Sequence, residues 1–259
     1  MKTLALFVSL FISCIVSNVA LAANEASAAV VDKPVRFLAS EWPPFEYTKP
    51  DGSLTGYSID ILKAMYAHLG EEPDIKIFPW NRSYKLAQEE ENTAVFTMAR
   101  SKKREDQFKW VGPIAPREIY LWKLKSRDDI KVKNFDDAKN YMIGTVRGEA
   151  GEQQLLDLGF DLKKNIHQVD KQTRNYLLLY KKRVDFIYGL EFTTIYGLQK
   201  AGFDPAKVEK SLLLNSGLEY YYGFNKNTSD DVVNRFQKAL DAIKSNGTFA
   251  KIVSKYAVQ

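Results

Sequence analysis

The chain has 259 residues, 45% of them apolar and 27% charged, with a formal net charge of +5, one cysteine and two histidines. That is the composition of an ordinary globular protein, with room for one large domain or two lobes of about 100 residues each. It excludes a disulfide framework, a thiolate zinc site and a cysteine nucleophile once Cys14 is lost with the leader. His68 and His167 stand in no spaced ligand motif, so neither a metal nor a cofactor is expected. Acidic and basic residues alternate without a long basic run, and no nucleic-acid partner is expected.

Residues 1–22 read as a cleaved secretory signal peptide: Met1-Lys2, an apolar stretch from Leu4 to Val16, and Ala20-Leu21-Ala22 before Ala23. Ser13, Ser17 and Asn18 interrupt a stretch already shorter than a membrane span. The mature protein is therefore expected to be exported to the periplasm. Residues 23–33 read as a flexible lead-in.

A short strand from Val35 to Leu38 runs into Glu41-Trp42-Pro43-Pro44-Phe45, where two prolines hold two aromatics on a stiff loop. Asp51-Gly52 marks a turn. Tyr57 to Leu69 has the apolar spacing of a helix, with Gly70 placed to stop it. Ile75–Phe78 follows as a strand, Asn81–Gln88 as a helix and Ala94–Met98 as a buried strand. The alternation then repeats, with strands at Tyr141–Val146, Val184–Tyr188 and Tyr220–Phe224. The helices are Glu152–Leu158, Arg174–Lys182, Phe192–Lys200, Ser229–Ser245 and Thr248–Tyr256. This order predicts an α/β protein with mainly parallel sheets flanked by helices.

Four clusters are candidate ligand contacts. Trp42 and Phe45 form a pre-ordered aromatic wall, although on pattern alone Phe45 serves equally well as a core residue. Trp80-Asn81-Arg82 lies between a strand and a helix, where open α/β sheets place ligand groups. Ala99-Arg100-Ser101-Lys102-Lys103-Arg104 follows a buried strand and offers two guanidinium forks to an anion such as a carboxylate. Thr145–Gly151, including Arg147 and Gly148, opens a helix whose N–H groups favour negative charge, without a nucleotide-binding pattern. Two positive sites from separate halves of the chain suggest an anionic small molecule held between lobes.

At these residues the chain resembles the bacterial extracellular solute-binding proteins of family 3, over about residues 34–257. Trp42-Pro43-Pro44-Phe45-Glu46-Tyr47, Gly52 and Gly56-Tyr57-Ser58-Ile59-Asp60-Ile61 resemble the family's opening. Ala99–Arg104, six residues ahead of Trp110, resembles its Thr-x-Thr-Pro-Glu-Arg segment. The resemblance implies a two-lobe clamshell joined by two crossing strands, with 34–115 and 224–259 in one lobe and 116–223 in the other. It implies a monomeric periplasmic receptor that delivers a small, amino-acid-like or carboxylate-bearing solute to an ABC permease. Arg104 would grip the carboxylate, main chain at Ala99 would add donors, Trp42 would stack on the ligand, and residues near Gly148 would close from the second lobe. A related subgroup has Trp-x-Arg at Trp80-Asn81-Arg82, which makes Arg82 a contact.

Three positions depart from the family pattern. The carboxylate that holds an amino acid's ammonium falls at Leu190, with Glu191 one position later; the usual first-lobe threonine is Ala99; an acidic residue near the first strand is Ala39. Either Glu191 takes over, or the ligand is not a standard α-amino acid. Two other readings stay open: a dehydratase-like enzyme on the same scaffold, using Glu41, Glu149 or Glu191, and a ligand-sensing partner of a membrane receptor.

Overall fold

The computed structural model describes residues 34–256 apart from 216, and the side chain of residue 150 is left out of the description. The leader, with Cys14, lies outside the described residues. No helix among the described residues is long and apolar enough to cross a membrane.

Two five-stranded sheets organise the chain, and each is built from the same unit. In the first, β1 (Arg36–Ala39), α1 (Tyr57–Leu69), β4 (Asp74–Ile77), α2 (Trp80–Glu89) and β5 (Thr93–Ala99) form a βαβαβ run with β1 paired in parallel to both neighbours. A small hairpin, β2 (Tyr47–Thr48) and β3 (Leu54–Thr55), closes around the Asp51-Gly52 turn. In the second sheet β8 (Ile143–Val146), α4 (Ala150–Asp157), β9 (Ile166–Val169), α5 (Gln172–Tyr180) and β10 (Phe186–Leu190) repeat that run, with β8 in the middle.

Both units are completed by antiparallel strands. β6 (Phe108–Pro116) and β12 (Glu219–Asn225) extend the first sheet beside β5, giving the order β4-β1-β5-β12-β6. β7 (Ile119–Leu124) and β11 (Val208–Asn215) extend the second, giving β11-β7-β10-β8-β9. The sheets are thus mixed, with parallel pairing confined to the βαβαβ units, rather than mainly parallel. The chain passes between sheets twice, at Arg117-Glu118 and between Asn215 and Glu219, and the two passages are tied by Arg117 N donating to Leu218 O at 2.9 Å. Tyr220 pairs with Ala99 and Tyr222 with Val111, so Glu219–Gly223 belong to the first sheet rather than to the second-lobe span 116–223.

Local chemistry accounts for the helices. α1 ends where Gly70 takes the left-handed conformation at φ 72°. Its first free N–H groups are met by backbone carbonyls instead of a capping side chain: Tyr57 N donates to Pro44 O at 2.8 Å and Ser58 N to Phe45 O at 2.9 Å. Gly56 must be glycine, since a Cβ there would lie 2.3 Å from Phe45 O. The proline loop is thereby clamped onto the start of α1. α3 (Phe135–Ala138) is a single turn capped by Asn134, α6 spans Glu191–Lys200, and α7 (Asp230–Ser245) begins at Ser229, whose Oγ accepts from Val232 N. α8 (Thr248–Tyr256) follows Gly247.

The plentiful aromatics are spent mainly on the first core. Phe37 on β1 is met edge-on by Tyr66, Phe96, Tyr222, Phe224 and Phe236, with ring centroids 5.4–6.0 Å apart. Smaller cores sit under the second sheet, around Phe186 and Leu155 on one side and Ile187 and Leu198 on the other. Aromatic packing also joins the halves: Phe192 of α6 lies 5.0 Å from Tyr57 and 5.8 Å from Phe45.

Candidate functional site

A cavity of about 980 Å³ opens between the two sheets, walled by the segments that follow the carboxyl ends of β1, β5, β8 and β10. This is where an open α/β sheet presents loops and helix starts to a ligand. From the first half come Trp42, Glu46, Trp80, Thr97, Ala99 and Arg104. The second half supplies Thr145, Glu149, Glu152, Tyr188, Leu190 and Thr193, Arg117 stands in the first crossing and Tyr220 near the start of β12.

The proline loop divides its residues between core and cavity. Phe45 is 2% exposed and packs under Trp42 and Tyr57, so it supports the wall from behind. The Trp42 ring, 4.6 Å from Phe45 and 5.6 Å from Tyr220, is on the cavity surface. Glu46 is 1% exposed beneath it and accepts a 2.6 Å hydrogen bond from Thr97 Oγ1, which is itself 2.7 Å from Ser58 Oγ. Burial pushes the Glu46 carboxyl up to about 8, the Thr97 bond working against that rise and the charge of Glu41 adding to it.

Thr97 reaches this bond through an irregular strand. Tyr221 faces Met98 and Gly223 faces Val95, so two residues of β5 oppose the single Tyr222 of β12. Thr97 sits in that bulge at φ 46°, a costly conformation for a β-branched residue, and lines the cavity.

Arg104 follows the turn after β5. Its Nη1 donates to Ala99 O at 3.1 Å, and its guanidinium lies 5.4 Å from the Tyr84 ring and 5.9 Å from the Trp80 ring. Among the described residues it has no carboxylate partner. Arg100 is turned away, between the rings of Trp110 and Tyr221, and gives both Nε and Nη2 to Glu105. It is not among the cavity residues. Arg82 is exposed and lies over the Phe78 ring at 4.3 Å, reaching the cavity only through Phe78.

In the second half, the start of α4 is already occupied by a carboxylate. Glu152 accepts from Gly148 N at 3.1 Å, from Gln168 Nε2 at 2.6 Å and from Thr145 Oγ1 at 3.4 Å, contacts that hold its carboxyl below the usual range despite burial. Gly148 and Arg147 do not line the cavity; Arg147 faces a separate depression with His167 and Arg174. Gly151 permits the Tyr188 ring to pack against α4, since a Cβ there would lie 2.6 Å from the ring. Tyr188 Oη then donates to Gln154 Oε1 at 2.8 Å. Leu190 lines the cavity, whereas Glu191 pairs with Lys210 at 2.5 Å outside it.

Sequence reasoning thus missed Glu46, Thr97, Arg117, Glu152, Tyr188 and Tyr220. The family motif already contained Glu46, and its place directly after Phe45 was the one available signal.

The model of the family described as bacterial extracellular solute-binding proteins, family 3, matches residues 37–259. The chain belongs to that family. Members are extracellular solute-binding proteins, and solute binding is the role of this chain. The chain is 22% identical over 236 residues to the L-cystine-binding protein TcyA of Bacillus subtilis, covering 88% of this chain and 83% of TcyA. It is 24% identical to a probable histidine-binding protein of Campylobacter jejuni, covering 92% and 89%. Among solved structures, the second substrate-binding domain of GlnP from Lactococcus lactis, in an open conformation, gives a TM-score of 0.70 at 19% identity, covering 88% of this chain and 97% of that one. The fold is therefore the two-lobe fold of these binding proteins.

Proposed function

We propose that the protein is exported past a cleaved leader to the periplasm, where as a monomer it captures a small carboxylate-bearing solute between two lobes and delivers it to an ABC permease without changing it chemically. The lobes are the two sheets with their helices, 34–116 with 219–256 and 119–215, turning about the two crossings between them. Closure is driven by contacts that form only when both lobes touch the solute.

The observation that carries this reading is the Arg104 guanidinium, which lines the cavity without a carboxylate partner among the described residues and is set in place by Ala99 O and two rings. A bidentate carboxylate fits that fork. The relatives' names supply amino acids as the ligand class, and two features turn this chain from a standard α-amino acid. Leu190 brings no charge to the cavity, and Glu191, the candidate substitute, is committed to Lys210.

A thermal-shift screen of the mature protein against amino acids, organic acids and amines tests the reading. At a hundredfold excess over Kd a true ligand adds about 2.7 kcal/mol, or roughly 5 to 10 °C in Tm. Carboxylate-bearing solutes are expected to give that shift and to be recovered unchanged by NMR. A screen in which amines alone stabilise, or in which a bound acid is turned over, contradicts it. Arg100→Ala and Glu191→Ala are each expected to leave solute affinity within about threefold, because removing a side chain engaged outside the cavity changes only an exposed ion pair worth ~1 kcal/mol or less. Calorimetry on the two variants checks this.

A further inference from the structure

The ten arginines fall into three groups. Arg82, Arg147, Arg174 and Arg183 are exposed. Arg36, Arg100, Arg127 and Arg235 are half-buried, and each has a carboxylate partner. Arg104 and Arg117 are also half-buried, have no carboxylate partner among the described residues, and both line the cavity.

Arg117 differs from Arg104 in origin. It stands in the first crossing between sheets, where its backbone N–H is fixed to Leu218 O. Its charge acts on two cavity tyrosines: burial pushes the hydroxyls of Tyr188 and Tyr220 up, the latter to about 12, and the Arg117 guanidinium opposes both shifts. Arg117, Tyr188 and Tyr220 all line the one cavity.

The cavity's carboxyl groups do not answer this charge. Among the described residues none of them is paired with Arg104 or Arg117: Glu41 accepts from Thr48 N and Oγ1, Glu46 from Thr97, and Glu152 from Gly148, Gln168 and Thr145, while the side chain of exposed Glu149 makes no hydrogen bond. When the lobes close, two half-buried cations are further removed from water. A monoanion would compensate one and leave the other underpaired, whereas a dianion would compensate both.

We infer that Arg117 is a second anion anchor, and that the solute carries two anionic groups, one for Arg104 and one for Arg117, as in a small dicarboxylate. This rests on the solute-binding reading above and specifies its ligand. Arg117 then determines specificity, distinguishing diacids from monoacids by an unpaired charge rather than by shape.

The test is calorimetry of the mature protein with succinate, glutarate, adipate, L-aspartate and L-glutamate. The corresponding monoacids and side-chain amides serve as controls, measured on wild type and on Arg117→Gln. Wild type is expected to bind its best diacid at least about tenfold more tightly than the matching monoacid. The variant is expected to lose that preference while holding the monoacid within about threefold. A wild type that binds mono- and diacids alike overturns the inference and leaves the solute-binding reading intact. A variant that loses both kinds equally makes Arg117 a structural part of the crossing and also overturns it. A wild type that binds no acid overturns both. The wild-type ligand series decides the question by itself if the variant does not fold.

Discussion

Replacing Arg104 with alanine is expected to cost about 3 kcal/mol of solute binding, a loss of roughly a hundredfold in Kd. The size follows from what the ligand's carboxylate would face afterwards. In the closed cleft it would be removed from water, and Trp42, Trp80 and Ala99 around it bring no replacement charge. Stability should hardly change, since the guanidinium's bond within the protein is one donation to Ala99 O beside the rings of Trp80 and Tyr84. Arg104→Lys keeps the charge but loses the planar fork, so an intermediate loss is expected. Titration of the three proteins with one carboxylate ligand, alongside thermal melts, separates these outcomes. Equal affinity across the three would remove Arg104 from the site.

The second large effect concerns pH. The Glu46 carboxyl is raised from 4.5 to about 8 by burial. Between those values the folded protein holds a proton that the unfolded chain has released. Stability conferred by that proton is complete below about 4.5, declines through the window and is gone above about 8. The span amounts to about 4 kcal/mol, so wild-type Tm should fall by roughly 8 to 16 °C between about pH 5 and pH 9 relative to Glu46→Gln, which stays neutral throughout. Groups held in the opposite direction act elsewhere: Asp129, brought down to about 2 by Arg127, loses its contribution in more acid solution. Parallel melting profiles for the two proteins would mean that Glu46 is ionised in its pocket, with stabilising contacts beyond Thr97.

How far the sequence carried the argument depends on what decides each element. α1 was legible to the residue, because apolar spacing over Tyr57–Leu69 and the stop at Gly70 are local properties. Of the antiparallel strands β12 was anticipated at Tyr220–Phe224, whereas β6, β7 and β11 were not, because pairing across the chain defines them. β6 carries Gly112-Pro113, which reads as a break, yet the strand survives at the edge of its sheet, where Pro113 removes no interior ladder bond and Gly112 N donates to Gln237 Oε1. β11 and β12 are irregular ladders with bulges, a feature that no period-two pattern announces.

The site divides in the same way. Trp42, Trp80, Ala99 and Arg104 follow strands or a proline loop that the pattern marks, and they line the cavity. Thr97 does so through a strand bulge and a left-handed backbone, Arg117 through the first crossing between sheets and Tyr220 through β12 beside Ala99. Arg100 and Glu191 failed to reach it for a different reason. Each is claimed by a nearby partner, Glu105 and Lys210, and neither pairing follows from the charge itself.

A crystal structure of the mature protein with the tightest-binding acid from the screen would resolve the matter. The expected result is a ligand enclosed between the two sheets, with one carboxylate about 3 Å from the Arg104 guanidinium and contacts from the Thr145–Glu152 segment of the opposite lobe. A ligand bound elsewhere, or one in the cleft with Arg104 facing solvent, would contradict the account.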